Sequence, residues 1–152
     1  MNTTELITTE LVDLDLAAGD RAEATAHLAG LLAGAGRVTD LDGFLADVRA
    51  REAQMPTGLE GGIGIPHARS AFVTTPTLAF GRSTEGVDFG AEDGPAHLIF
   101  LIAAPEGGGA DHMTILASLA RRLVHRSFRE ALLGAADPQA IVDLVDREVV
   151  GK

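Results

Sequence analysis

The 152-residue chain contains no cysteine, no tryptophan and no tyrosine. Without cysteine there is no disulfide, no thiol nucleophile and no zinc–thiolate site, and the redox character of the compartment leaves no mark on the sequence. Without tryptophan and tyrosine the aromatic platform of a carbohydrate site would have to come from six phenylalanines, so a sugar-gripping cleft is not expected. Lysine occurs once, at Lys152. Walker-type phosphate loops, Schiff-base enzymes and pyridoxal enzymes each need a placed lysine, and all three fall away. No apolar run reaches the roughly 18 residues of a membrane-spanning helix. The opening MNTTELITTE has neither the basic nor the apolar region of a secretory signal. Acids outnumber bases 22 to 12, a net charge of −10, which argues against nucleic acid and anionic membranes as partners. Histidine, carboxylates, arginine, serine and threonine remain for chemistry.

Apolar residues make up 46% of the chain, enough for one domain over 1–152 to bury a core without staples. No linker, repeat or low-complexity tract divides it. Val12, Leu14 and Leu16 alternate with Asp13 and Asp15, as in a half-buried strand. Asp20 and Glu23 form a capping-box pattern ahead of an apolar stripe of Ala24, Leu28, Leu31 and Leu32, and Gly34 and Gly36 end that helix. Asp40 is placed to cap a second helix facing inward with Leu41, Phe44, Leu45 and Val48. A Gly-rich loop, Met55–Gly62, leads to a short strand, Ile63–Ile65, stopped by Pro66. Thr77–Ser83 reads as another strand, and Glu92–Pro95 as a turn. Leu98–Ala104 is unbroken apolar, the pattern of a strand buried on both faces. After the Gly-rich connection Pro105–Ala110, Asp111 is placed to cap a helix carrying Ile115, Leu116, Leu119 and Leu123. Ser127 with Glu130 suggests the capping box of a short helix ending near Gly134. Asp137 followed by Pro138 starts a last helix with Ile141, Leu144 and Val145 inward. Strands interleaved with helices give an α/β class, a single mixed β-sheet sandwiched between helices on both faces.

Chemistry concentrates in Gly61-Gly62-Ile63-Gly64-Ile65-Pro66-His67-Ala68-Arg69. It sets His67 just beyond a strand end, where ligands of α/β sheets usually sit. A neutral imidazole is the one strong nucleophile this composition allows. Arg69 is near enough in sequence to meet an anion. The same residues also fit a plain Pro-His turn with a solvated ring. His112 stands three and four residues before Ile115 and Leu116, on the apolar side of its helix. It is either a core histidine bonded to backbone or a second imidazole at a site. Arg51, before the Gly-rich loop, is either a phosphoryl clamp or half of an exposed helix-end pair with Glu52. His27, His97 and His125 have no supporting context, and no HxH or HExxH spacing suggests a metal.

These motifs, in this order, resemble a known family. Arg51-Glu52, Pro56-Thr57 and Gly62–Arg69 follow the RE, T and GIAIPHA/G pattern of the fructose/mannitol class of enzyme IIA in the bacterial phosphoenolpyruvate-dependent sugar phosphotransferase system. Leu98–Pro105, then Asp111-His112-Met113 and Ile115–Ala120, are similar to its buried strand and following helix. Gly86-Val87-Asp88-Phe89 is similar to the fructose branch. The resemblance covers essentially the whole chain. Gly64 and Met113 depart from it, standing where alanine and leucine are commoner, and Gly64 would loosen the strand slightly.

The resemblance implies a cytoplasmic phosphotransferase. His67 would take a phosphoryl group on Nε2 from phospho-HPr. It would pass the group to a cysteine of a IIB domain, which phosphorylates sugar, with fructose expected, as the membrane IIC domain imports it. His112 and Arg51 match active-site positions. A Thr57 hydroxyl could hydrogen-bond the phosphoryl oxygens, and Arg69 could add positive charge. No cofactor and no metal are expected. A regulatory, nitrogen-related enzyme IIA acting by phosphorylation-dependent binding is the alternative, and Gly86–Phe89 with Ala103-Ala104-Pro105 favours transport. A binding module with an inert histidine is set against the intact trio of His67, His112 and Arg51, and a hydrolase against the absence of a carboxylate beside His67.

Overall fold

The computed structural model describes residues 6–54, 57–106 and 111–150, with Asp111, His112, Met113, Ile115 and Val150 described by their backbone alone. In chain order the elements are β1 (Val12–Asp13), α1 (Arg21–Gly34), α2 (Leu41–Gln54), β2 (Gly58–Leu59), β3 (Ile63–Gly64), β4 (His67–Ser70), β5 (Thr77–Val87), β6 (Ala96–Pro105), α3 (Asp111–Leu123), α4 (Arg126–Gly134) and α5 (Pro138–Val145). A 3-10 turn, Thr9–Leu11, precedes β1, and a π-helical turn, Asp146–Val150, follows α5.

The apolar run is the spine of the molecule. Every residue from Leu98 to Ala104 is buried, so β6 is covered on both faces. It also has neighbours on both edges. β5 runs antiparallel along one, with Phe80 opposite Phe100; β3 and then β4 run parallel along the other. The result is one six-stranded mixed sheet, ordered β1-β5-β6-β3-β2, with β4 beside β6 in line with β3. α1 packs on β5 and β6, α2 on β4, and α3 and α4 on β6, which gives the expected sheet between helices.

The helix starts follow local chemistry. Asp20 accepts from the Glu23 N–H at 2.8 Å and Glu23 accepts from the Gly19 N–H at 2.7 Å, closing a box one residue wider than the usual one. Asp40 accepts from the Gly43 N–H at 3.2 Å, and Asp137 from the Ala140 N–H at 2.9 Å with Pro138 in the first turn. Each cap is worth about 1 kcal/mol. α1 buries Ala24, Leu28 and Leu32, while Leu31 is only partly covered. α2 buries Phe44 and Val48, with Leu41 and Leu45 partly covered.

Four boundaries differ from expectation, each for a local reason. The strand expected through Leu16 stops at Asp13, whose side chain accepts from the Asp15 N–H at 2.9 Å and turns the chain. The strand expected to end at Ser83 continues to Val87 across an irregularity in its pairing with β6, where Gly86 takes φ +90°. α4 begins at Arg126, not after Ser127; Glu130 pairs with Arg126 at 3.0 Å instead of closing a box. The Gly-rich loop, described from Thr57 onward because Met55 and Pro56 lie outside the described residues, contains the short strand β2. Gly107–Ala110, in the expected Gly-rich connection, also lies outside the described residues.

The most consequential difference concerns Pro66. The strand does stop before it, but it resumes at His67 in the same register, with Gly64 opposite Ile99 and His67 opposite Ile102. His67 therefore does not lie beyond a strand end; it opens the second half of an interrupted strand.

Gly64 is not a loosening either. A Cβ there would stand 2.7 Å from the ring of the fully buried Phe89, so glycine is what lets that ring close over the strand. Gly64→Ala should cost about 1–3 kcal/mol by overpacking. Measured by urea unfolding, Gly64→Ala with Phe89→Leu should lose less than the sum of the two single changes, and additive losses would show that the two residues are not in conflict.

Candidate active site

His67 is held by its backbone at the head of β4, and its ring makes a short bond to the chain just before it. Its side chain lies in a residue only 7% exposed, and Nδ1 is 2.8 Å from the carbonyl oxygen of Ile65. A carbonyl only accepts, so Nδ1 carries the proton, and in the neutral ring Nε2 keeps its lone pair. Ile65 lies outside both strands. Its N–H donates to the Thr57 carbonyl at 3.1 Å, and the Pro66 carbonyl accepts from the Ile102 N–H at 3.0 Å. The break in the strand thus turns a carbonyl toward the ring.

Burial pulls the His67 pKa below the ordinary 6.5; the bond to Ile65 opposes this, the nearby Arg51 guanidinium lowers it further, and the Glu52 carboxylate raises it. The outcome is an uncharged, nucleophilic ring at neutral pH.

The ring borders a cleft of about 450 Å³ lined by Asp47, Ala50, Arg51 and Gln54 of α2, by Ala68 and Arg69 of β4, and by Leu116 of α3. The four α2 residues follow an i, i+3, i+4, i+7 spacing, so one helix face looks onto His67. Arg51 is thereby brought to the histidine, and Arg69 is exposed there with Nη2 3.2 Å from the Glu106 carbonyl. Asp47 accepts from the Ser70 hydroxyl at 2.6 Å, tying α2 to β4. Volume alone would not choose this cleft. Another, of about 500 Å³, carries Asp15, Glu23 and Glu85, a lining that repels a phosphoryl group.

Thr57 requires a correction. It is buried, it is not part of the cleft lining, and its hydroxyl donates to Glu52 Oε1 at 2.7 Å while its N–H donates to Oε2 at 2.9 Å. The hydroxyl proton is committed, so in this arrangement Thr57 is no donor to phosphoryl oxygens. His112 falls in the first turn of α3, and its side chain lies outside the described residues; Leu116, one turn further on, borders the cleft. The remaining histidines stand apart from the cleft. His27 Nε2 meets Asp13 at 2.7 Å, His97 Nδ1 meets the Ser83 carbonyl at 2.8 Å, and His125 sits at the N-cap of α4 without a capping bond. Among the described residues no group of three or more histidines or carboxylates is placed to hold a metal. Asp47 and Gln54 were missed in the sequence, although their helical spacing to Arg51 is legible there.

Residues 5–148 match the family model for the phosphoenolpyruvate-dependent sugar phosphotransferase system, EIIA 2. The chain belongs to this EIIA family. It is 44% identical over 137 residues to a fructose-specific EIIA component of the phosphotransferase system from Haloferax volcanii, covering 90% of this chain and 89% of that protein. It is 37% identical over 148 residues to the fructose-specific EIIABC component of Bacillus subtilis, covering 97% of this chain but 23% of that longer protein. Among solved structures, the nitrogen regulatory protein IIA-Ntr from Neisseria meningitidis superimposes with a TM-score of 0.85 at 30% identity, covering 92% of this chain and 96% of that one. IIA mannitol from Escherichia coli gives 0.77 at 27% identity, covering 91% and 97%. As an EIIA domain of this type, the chain is a phosphotransferase that works through a phosphohistidine. No helix among the described residues is long and apolar enough to cross a membrane.

Two consequences follow for this EIIA domain. Ring ¹⁵N spectra should show the Nδ1–H tautomer of His67 with a midpoint below 6.5, and an Nε2–H ring would refute the geometry. Because the folded pKa is lowered, the unfolded chain binds the proton first as pH falls. The contribution to stability is complete above about 6.5 and is lost as pH falls toward the folded pKa. Denaturant midpoints should therefore fall across that window, and His67→Gln should flatten the fall.

Proposed function

We propose that this domain carries a phosphoryl group from phospho-HPr to the cysteine of a IIB domain of a fructose-type permease, and so serves the membrane IIC domain indirectly from the cytoplasm. The observation that carries this reading is the His67 ring, with Nδ1–H bonded to Ile65, at the edge of an arginine-bearing cleft. In the first step the Nε2 lone pair attacks phosphorus, and the bond to the donor nitrogen breaks with its electron pair returning to the donor ring. Positive charge develops on the His67 ring, and the Ile65 carbonyl stabilises it through Nδ1–H. In the second step a IIB thiolate attacks phosphorus, the Nε2–P bond breaks, and the pair returns to Nε2. Such transfers need positioning and charge stabilisation more than covalent assistance.

Arg51 supplies that charge from α2, and Arg69 adds to it from the exposed edge of the cleft. His112 is assigned as a second imidazole at the site, supported by its helical spacing to Leu116 and by the family motif. The fructose assignment rests on the 44% and 37% relatives. A solved complex pairs enzyme IIA mannitol with phosphorylated enzyme IIB mannitol from Escherichia coli, and its superposition at a TM-score of 0.78 and 25% identity supports a IIB partner here. The net charge of −10 suits a more basic carrier. The likeness to a nitrogen regulatory IIA keeps a second reading in view, in which the phosphorylated state is retained and read by a bound protein.

Incubated with phosphoenolpyruvate, enzyme I and cognate HPr, the protein should gain one acid-labile phosphoryl group by intact mass, and His67→Ala should gain none. Arg51→Ala should slow labelling on the order of a hundredfold, the cost of removing one charge-stabilising donor. Discharge onto a fructose IIB domain would support transport, and retention the regulatory reading. An unlabelled wild type would overturn both.

A further inference from the structure

We propose that Glu52 is a positioning residue for His67, fixing through Thr57 and Ile65 which ring nitrogen carries the proton. The inference rests on the reading of His67 as the phosphoryl acceptor. It starts from an unbroken path of hydrogen bonds. Glu52 Oε1 accepts from the Thr57 hydroxyl at 2.7 Å, and Oε2 accepts from the Thr57 N–H at 2.9 Å. The Thr57 carbonyl accepts from the Ile65 N–H at 3.1 Å. The Ile65 carbonyl accepts from His67 Nδ1–H at 2.8 Å.

Each link matters because of what its neighbour lacks. The Ile65 carbonyl belongs to a peptide unit whose nitrogen is Pro66 and so has no N–H of its own to anchor. Its direction is set by the bonds on either side: Ile65 N–H to Thr57 before it, and the Pro66 carbonyl to Ile102 N–H after it. The sheet supplies the second, and Glu52 secures the first. The intervening chain is a short hairpin in which β2 pairs with β3 and the Gly58 N–H donates to the Phe89 carbonyl at 3.0 Å, and Glu52 ties its Thr57 end to α2.

Only an anion suits position 52. Its two oxygens accept from three donors, the third being Arg21 Nη1 at 3.1 Å from Oε2. Arg21 lies over the Phe89 ring at 5.9 Å, so the counter-charge is itself held in place. Glu52 and Arg21 line a separate groove between α1 and α2, and neither belongs to the lining of the His67 cleft. The carboxylate lies outside the cleft lining, so its hold on the ring's orientation runs through the backbone of Thr57 and Ile65, while its charge also raises the His67 pKa through space.

The test reads the ring before it reads the reaction. Ring ¹⁵N spectra of the unphosphorylated protein, taken well above pH 6.5, should show a single Nδ1–H tautomer for the wild type. Glu52→Ala and the isosteric Thr57→Val should show a mixture of both tautomers, and Thr57→Ser, which keeps the hydroxyl, should restore the single form. Phosphorylation of the first two variants by phospho-HPr should slow roughly ten- to a hundredfold, the penalty of a misplaced reacting group. If Glu52→Ala does not fold, Thr57→Val decides the matter alone. A folded variant that keeps pure Nδ1–H and a rate within about twofold of wild type would overturn the proposal, since a lost hydrogen bond to a charged group is worth more than that. A wild type that takes up no phosphoryl group would defeat the carrier reading, while the tautomer comparison would still judge the positioning role.

Discussion

One hydrogen bond, from His67 Nδ1–H to the Ile65 carbonyl, fixes the ring on which the proposed function depends. It commits Nδ1 as a donor. In the proposed carrier role it also stabilises the charge that would develop on phosphorylation. The bond exists because a strand is interrupted at a proline and then resumes without losing register. A continuous strand would commit its carbonyls to β6, and a strand that simply ended would leave the ring in water. The interruption keeps the rigidity of the sheet and releases one carbonyl for the histidine.

The rest of the fold supports that break. β6, buried along both faces from Leu98 to Ala104, supplies a partner with paired strands on both edges. β5 locks its other edge, including the Phe80–Phe100 ring pair at 4.8 Å between centroids. α2 then delivers Arg51 from one side, and its seat beside β4 is fixed in part by Asp47 and Ser70. The acidic character of the chain and the arginines of the cleft are complementary. In a protein of net charge −10, Arg51 and Arg69 bring positive charge to the cleft beside His67.

Much of this was legible from residues alone. The doubly buried strand declared itself as an unbroken apolar run, and Asp20, Asp40 and Asp137 marked helix starts because capping depends on residues three apart. The GIGIPHA motif pointed to His67, and the family pattern pointed to Arg51. Thr57 was misread because its hydroxyl was assigned from its place in the loop before the histidine, and sequence does not show where a proton is donated. Ser127 was misread because a capping box and an i,i+4 ion pair draw on overlapping residues, and Arg126 pairs with Glu130 in a helix that starts two residues earlier. Gly64 looked like a loosening because the ring that needs its space, Phe89, lies 25 residues away along the chain.

The sequence by itself determined the class of fold, the excluded chemistries and the candidate nucleophile, because these rest on composition and on patterns spanning a few residues. The tertiary structure alone decided that the Ile65 carbonyl takes the Nδ1 proton of His67, that Arg51 lines the same cleft, and that Glu52 holds Thr57. Those outcomes depend on the direction of single carbonyls and side chains, and direction is set by contacts between segments far apart in the chain, where local propensity has no influence.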